Sequence, residues 1–174
     1  AAPLRYTRHG CLDAPSVDVA LEAWLTFVFD QGGGLPLPPP LPLARGDVHT
    51  RSGRSRMVIP PFMRERVMEV DWQGGELRYT VDNPGLFTYQ VHSHAGRVKF
   101  LEQANGKVEM LWEVDVRPLR GWRGVVLPFT EAIVSTISRN LKAHLAEPCA
   151  RVGLPGRRDI APFGSVPLES WFGG

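Results

Sequence analysis

"PFTEAIVSTISRNLKAHLAE", Pro128–Glu147, is the stretch on which the reading of this chain turns. Phe129, Ile133, Ile137, Leu141 and Leu145, with Val134 beside them, recur at three- and four-residue steps. They form one unbroken apolar stripe, the pattern of a long amphipathic helix laid on a greasy surface. Pro128 suits a first turn, and Thr130 and Glu131 favour a start there. Arg139, Lys142 and His144 suit the negative end of the helix dipole, and Pro148 terminates the element.

The surface that this helix needs is supplied upstream. From Arg45 to Leu119 the chain reads as a meander of six short strands. These are "GDVHTRS", "SRMVIPPF" broken at Pro60-Pro61, "MRERVMEVDW", "ELRYTVDN", "TYQVHSHAGRVKFLEQ" and "KVEMLWEVDVRPL". The turns "QGG", "NPG" and "NG" join the later ones and imply antiparallel pairing. In the last strand Val108, Met110, Trp112, Val114 and Val116 share one parity, whereas Glu109, Glu113, Asp115 and Arg117 share the other. Leu77, Tyr79 and Val81 alternate in the same way with Glu76, Arg78, Thr80 and Asp82. The sheet therefore has one wet face and one apolar face. Before the meander, "RYTRHGCLDAPS" offers a first strand. Ser16 then caps a helix over Val17–Asp30, striped by Leu21, Trp24, Leu25 and Val28 and stopped by Gly32-Gly33-Gly34.

"LPLPPPLPL", Leu35–Leu43, is too rich in proline for a helix or a central strand, and polyproline II is its expected state, as a stiff connector on this protein or a neighbour. The expected domains are 1–148, carrying this Pro-rich insert at 35–43, and an extended tail over 149–174 without periodicity.

Composition narrows the function classes. The chain has 174 residues, 43% of them hydrophobic, and a net charge of +2. One domain of that size buries a core without disulfides. Cys11 and Cys149 sit far apart with no metal spacing and read as free thiols, with a disulfide linking the two ends as the alternative. The basic residues are interleaved with acids, as in "RERVMEVD", so no nucleic-acid partner is expected. No apolar run reaches the roughly 20 residues that a membrane span requires. "AAPLRYTRHG" holds no secretory segment and is compatible with a mature end left by a transit peptide, so an intracellular, organellar location is the expectation.

"RERVMEVDWQGGELRYTVDNPG", "HAGRVKFLEQANGKVEMLWEVDVRPL" and the final helix together resemble the START-like helix-grip (SRPBCC) superfamily, nearest to its polyketide cyclase/dehydrase and lipid-transport branch. The resemblance covers about Leu4 to Glu147 and lies in element order and diffuse pattern. It implies an α+β fold in which a curved antiparallel sheet of six or seven strands wraps around the long C-terminal helix. It also implies a cavity for a lipid, polyketide, pigment or other apolar molecule. The Pro-rich insert and the tail depart from the pattern.

On that frame the cavity is expected among Arg66, Met68, Tyr79, Val98, Phe100, Met110, Trp112 and Val114 of the sheet and Ile133, Ile137 and Leu141 of the helix. If Met68 and Val70 face inward, Arg64 and Arg66 do too, and an inward arginine would hold an anionic or carbonyl group. The opposite parity puts Glu65, Val67 and Glu69 inside. His92 and His94 present the same choice. A bulge at Gly96 sends both to solvent, and its absence lines the cavity with both beside Val98. No third ligand accompanies them, so no metal site is expected.

Three functions compete. The first is a non-catalytic carrier of a lipophilic molecule or an accessory subunit of a larger organellar assembly, with no cofactor beyond the bound apolar ligand and with Leu35–Leu43 and Cys149–Gly174 as protein contacts. The second is a polyketide cyclase/dehydratase-like enzyme in which Arg66 and Tyr79 orient a carbonyl and His92 or His94 serves as base. The third is an adaptor presenting its polyproline segment. The two extensions, which bury little on their own domain, favour the first.

Overall fold

Seven strands alternate well enough in sequence to pair side by side, and they do so in one antiparallel sheet. The computed structural model describes residues 3–58, 63–82 and 91–147. The "NPG" turn, Tyr89, Pro60-Pro61, Cys149 and the expected tail lie outside the described residues. The strands are β1 (Leu4–Leu12), β2 (Leu41–Ala44), β3 (Ser55–Val58), β4 (Met63–Asp71), β5 (Glu76–Asp82), β6 (Val91–Glu102) and β7 (Val108–Pro118). Their order is β1-β7-β6-β5-β4-β3-β2, so β1 and β2 are the edges. β7 lies beside β1 and β6 with its valines, Met110 and Trp112 buried and its acids on the outer face.

The apolar face is covered by α1 (Val17–Ala23), which runs on into a wider π-helical segment (Trp24–Asp30), and by α2 (Arg123–Ala146). Ser16 caps α1, its Oγ accepting from the Val19 amide. The change of pitch begins where the Thr26 hydroxyl donates to the Glu22 carbonyl at 2.8 Å, and it closes with the Gln31 amide bonded five residues back to Thr26. Gly32, Gly33 and Gly34 all take positive φ and end the helix. At Gly33 a Cβ would stand 3.0 Å from Ile137 of α2, so the glycine also permits close packing. The Asn140 amide donates to the Gly33 carbonyl at 2.9 Å, Phe27 stacks on His144 at 4.3 Å, and the Tyr6 and Ser135 hydroxyls meet at 3.0 Å. These contacts tie α2 to the first helix and to β1.

Four expectations change. α2 begins at Arg123, not Pro128, which lies inside it. The missing N–H of Pro128 falls where Gly124, exposed at the first turn, loses only one carbonyl bond. "GDVHTRS" is a turn rather than a strand, because the Asp47 carboxylate accepts from the amides of His49 (2.9 Å) and Thr50 (2.7 Å) and folds the backbone around itself. The Pro-rich stretch, expected to be wholly polyproline II, gives Leu41–Ala44 to the sheet as edge strand β2 beside β3. An edge strand tolerates Pro42 because only one side of it pairs.

The fourth concerns phase. The bulge is not at Gly96, which pairs regularly with Tyr79 and Val114. Irregularities lie instead between Val67 and Glu69 in β4 and between Val91 and Ser93 in β6. Gly96 makes room for a neighbour. A Cβ there would collide with the Tyr79 ring, which lies against the β6 backbone. Gly96→Ala is therefore expected to destabilise the fold by about 1–3 kcal/mol, as overpacking does. Tyr79→Leu in the same chain should recover part of the loss in a urea titration. An unaltered midpoint for Gly96→Ala would mean that the ring moves aside freely.

Candidate ligand cavity

Two neighbouring spaces lie between the sheet and α2. The larger, about 330 Å³, sits under the Pro-rich segment and is lined by Leu35, Leu37 and Pro40, with Phe129, Ile133 and Ile137 opposite. The smaller, about 50 Å³, extends inward to Trp24, Tyr79, His94 and Trp112. Arg56, Met63, Glu65, Phe129, Ile133 and Ile137 border both. The lining is mostly apolar, as small-molecule sites are.

Of the expected cavity residues, Tyr79, Trp112, Ile133 and Ile137 line this space. Val98, Phe100, Met110, Val114 and Leu141 are fully buried in the core and line neither part. Arg66 and Met68 do not belong there, since both are exposed, Met68 to 52%. The β4 irregularity explains this. Met63, Glu65 and Val67 face in, Met68 is passed over without a partner, and Val70 resumes the inward phase. Hence Glu65 points inward and Glu69 outward, a combination that neither strict parity gives. The histidines divide in the same manner. His92 takes the irregular position in β6 and is exposed, whereas His94 pairs with Val116 and reaches the cavity.

The inner chamber is an aromatic cluster. The Trp112 indole donates to the Tyr79 hydroxyl at 2.9 Å. Trp24 sits 5.6 Å from Tyr79 and edge-on to Trp112 at 5.7 Å, and His94 lies 5.9 Å from Tyr79. Burial pushes the His94 imidazole down to about 4, so it is neutral at physiological pH. Trp24, 2% exposed, has its indole N–H sealed from solvent with no acceptor among the described residues.

The polar wall of the cavity comes from a residue that no sequence pattern singles out. Arg56, on β3, is buried and holds Glu65 of β4 through Nε at 2.6 Å and Nη2 at 2.5 Å. Its Nη1 donates to the carbonyl of Val28 at 2.7 Å and to that of Phe29, closing the end of the π-helical segment. Its guanidinium also lies 4.6 Å from the Phe29 ring centroid. Two further pairs run alongside, Arg51 with Glu22 at 2.8 Å and Arg54 with Asp30 at 2.7 Å, all four side chains at most 15% exposed. Burial raises the carboxyls of Glu22 and Asp30 above their ordinary values, against the pull of these arginines. The one sequence signal for Arg56 is its shared parity with Val58 in a short apolar strand.

The outer face of the sheet is a lattice of exposed pairs. Arg97 bridges Glu76 and Glu113, Arg5 holds Asp115, and Arg64 holds Asp82. Among the described residues no group of three or more His, Cys, Asp or Glu is placed to hold a metal, and Cys11 is an exposed free thiol. No helix of the described residues is long and apolar enough to cross a membrane.

A curved antiparallel sheet gripping a long terminal helix is the helix-grip fold. Solved structures share that fold with this chain. Ara h 8.0201 superposes with a TM-score of 0.66 at 11% identity, over 82% of this chain and 97% of its own. Ginseng major latex-like protein 151 from Panax ginseng gives 0.64 at 13% identity, over 84% and 100%. A protein from Nitrosospira multiformis gives 0.66 at 10% identity, over 85% and 100%. No family model matches the sequence, and no curated protein matches it.

Proposed function

We propose that this chain is a non-catalytic carrier of a lipophilic small molecule, held beneath the Pro-rich segment between the sheet and α2. One observation carries the reading: an apolar cavity of about 330 Å³ between the Pro-rich segment and α2. That volume falls in the range of about 300–1,000 Å³ typical of ligand sites. The space around His94, the inward histidine, is only about 50 Å³. A chamber of that size takes a terminal group rather than a folded polyketide, which supports a carrier over the cyclase/dehydratase reading.

A second part of the proposal is service as an accessory subunit of a larger organellar assembly. Its support is the exposed leucines of edge strand β2, Leu41 at 45% and Leu43 at 44%. Native mass spectrometry of the protein taken from its source tests both parts. A retained small-molecule mass is the result expected for the carrier, and a stoichiometric protein partner is the result expected for the assembly role. Bare chain after gentle release would overturn both.

A further inference from the structure

The link from β7 to α2 breaks the charge pattern of the rest of the chain. From Arg117 to Thr130 the sequence holds three arginines, Arg117, Arg120 and Arg123, and no acid. All three are exposed, and none has an ion pair or a side-chain hydrogen bond among the described residues. Exposed arginines on the sheet are held instead by carboxylates, Arg5 by Asp115, Arg64 by Asp82 and Arg78 by Glu76. The link is short and folded. The Trp122 amide bonds to the Leu119 carbonyl at 3.0 Å, Gly121 takes a φ of 85°, and α2 begins at Arg123 with no acidic residue in its first turn. The three guanidiniums are thereby gathered at one corner of the fold. Apolar side chains stand among them, Val125 at 52% exposed and Leu119 and Trp122 half-buried. The corner adjoins the cavity. β7 ends on the side of the sheet where β4 begins with Met63, and both Met63 and Phe129, in the second turn of α2, line the two spaces.

We infer that this corner docks on a bilayer surface rich in anionic lipids, where the carrier takes up or releases its cargo. Arginine matches phosphate bidentately, and a tryptophan with aliphatic neighbours settles at the boundary between head groups and acyl chains. A nucleic acid would satisfy the arginines but leave Val125 in water. The choice of lipid over an acidic protein rests on the carrier reading above, since a water-insoluble cargo is exchanged at a membrane.

The test is co-flotation of the full chain with phosphatidylcholine vesicles, plain or carrying about 30 mol% phosphatidylserine. Binding to the anionic vesicles is expected to exceed binding to plain ones at least about tenfold, and to fall at least about fivefold between about 0.05 M and about 0.3 M NaCl. Arg117→Gln, Arg120→Gln and Arg123→Gln together should weaken it at least about tenfold. These arginines have no partner to lose, so the urea midpoint should not move. Val125→Asn should weaken binding about threefold. Arg8→Gln, Arg66→Gln and Lys142→Gln together remove the same charge elsewhere and should change it less than about twofold. Wild-type chain left behind by the anionic vesicles would overturn the inference. So would an equal loss in the two triple variants, or poly(dT) bound as tightly as the vesicles. Uptake of Nile red, an uncharged fluorophore, reads the cavity separately. A chain that takes up Nile red but does not float keeps the carrier reading and loses the docking face, and a chain that floats without taking up Nile red does the reverse.

Discussion

Arg56→Met is expected to lower the unfolding free energy by about 3–5 kcal/mol, the usual consequence of removing one partner of a buried ion pair. The substitution strands two acceptors at once, the Glu65 carboxylate and the carbonyl of Phe29, whereas the carbonyl of Val28 keeps the Gly32 amide at 3.2 Å. It also removes the cation resting against the Phe29 ring. Such a loss consumes much of the stability that a domain of this size possesses. The comparison that isolates the cause is Arg5→Met. Arg5 and Asp115 also meet within hydrogen-bond distance, at 2.8 Å, but with side chains 63% and 37% exposed. Loss of that surface pair should leave the urea midpoint nearly unchanged. Pairing Arg56→Met with Glu65→Leu should restore part of the stability, because the stranded charge is gone while the Phe29 carbonyl still lacks a donor. Equal urea midpoints for Arg56→Met and Arg5→Met would remove the clamp from the account.

The other large effect is on pH. His94 titrates at about 4 in the folded chain, against an ordinary value of 6.5, because burial penalises the imidazolium. Between those limits the unfolded chain takes up a proton that the folded chain refuses, so stability is full above pH 6.5 and declines as the pH falls toward 4. The integrated contribution is roughly 3 kcal/mol. Glu22 and Asp30 act in the opposite sense. Their carboxyls are raised by burial, so their contribution is greatest when they are protonated and is lost as the pH rises through their folded values. His94→Phe separates the two trends, since both carboxyls remain in the variant. Denaturant titrations at pH 7 and pH 4.5 should show the wild-type chain losing more stability than the variant across that interval. Parallel losses would place the imidazole in contact with water.

The sequence reveals the architecture through long, regular signals. The stripe from Phe129 to Leu145 and the alternation from Val108 to Val116 each repeat five times, and both turn residues into the one hydrophobic core. Helix starts are less legible. Pro128 looks like a first turn because proline fits there, yet one lost carbonyl bond at an exposed glycine is a small cost inside a helix of 24 residues. The site is harder still, since a single skipped residue reverses a strand. Met68 in β4 and His92 in β6 each mark such a skip, and neither has a composition that announces it. Gly96 invites a bulge for the right local reason, whereas its absent side chain makes room for Tyr79, a contact between strands. Arg56 escapes notice in the sequence because nothing local distinguishes a buried arginine from a surface one. Its partners lie 9, 27 and 28 positions away.

Strand β2 bears on how the protein behaves in crowded solution. A sheet that ends in an open edge invites other chains to add on, the first step toward fibrils. Pro42 sits in the middle of that four-residue strand and has no N–H to offer a newcomer, and the strand is too short to template a long ladder. A surface carrying Leu41 and Leu43 in the open is thereby kept from seeding amyloid-like growth.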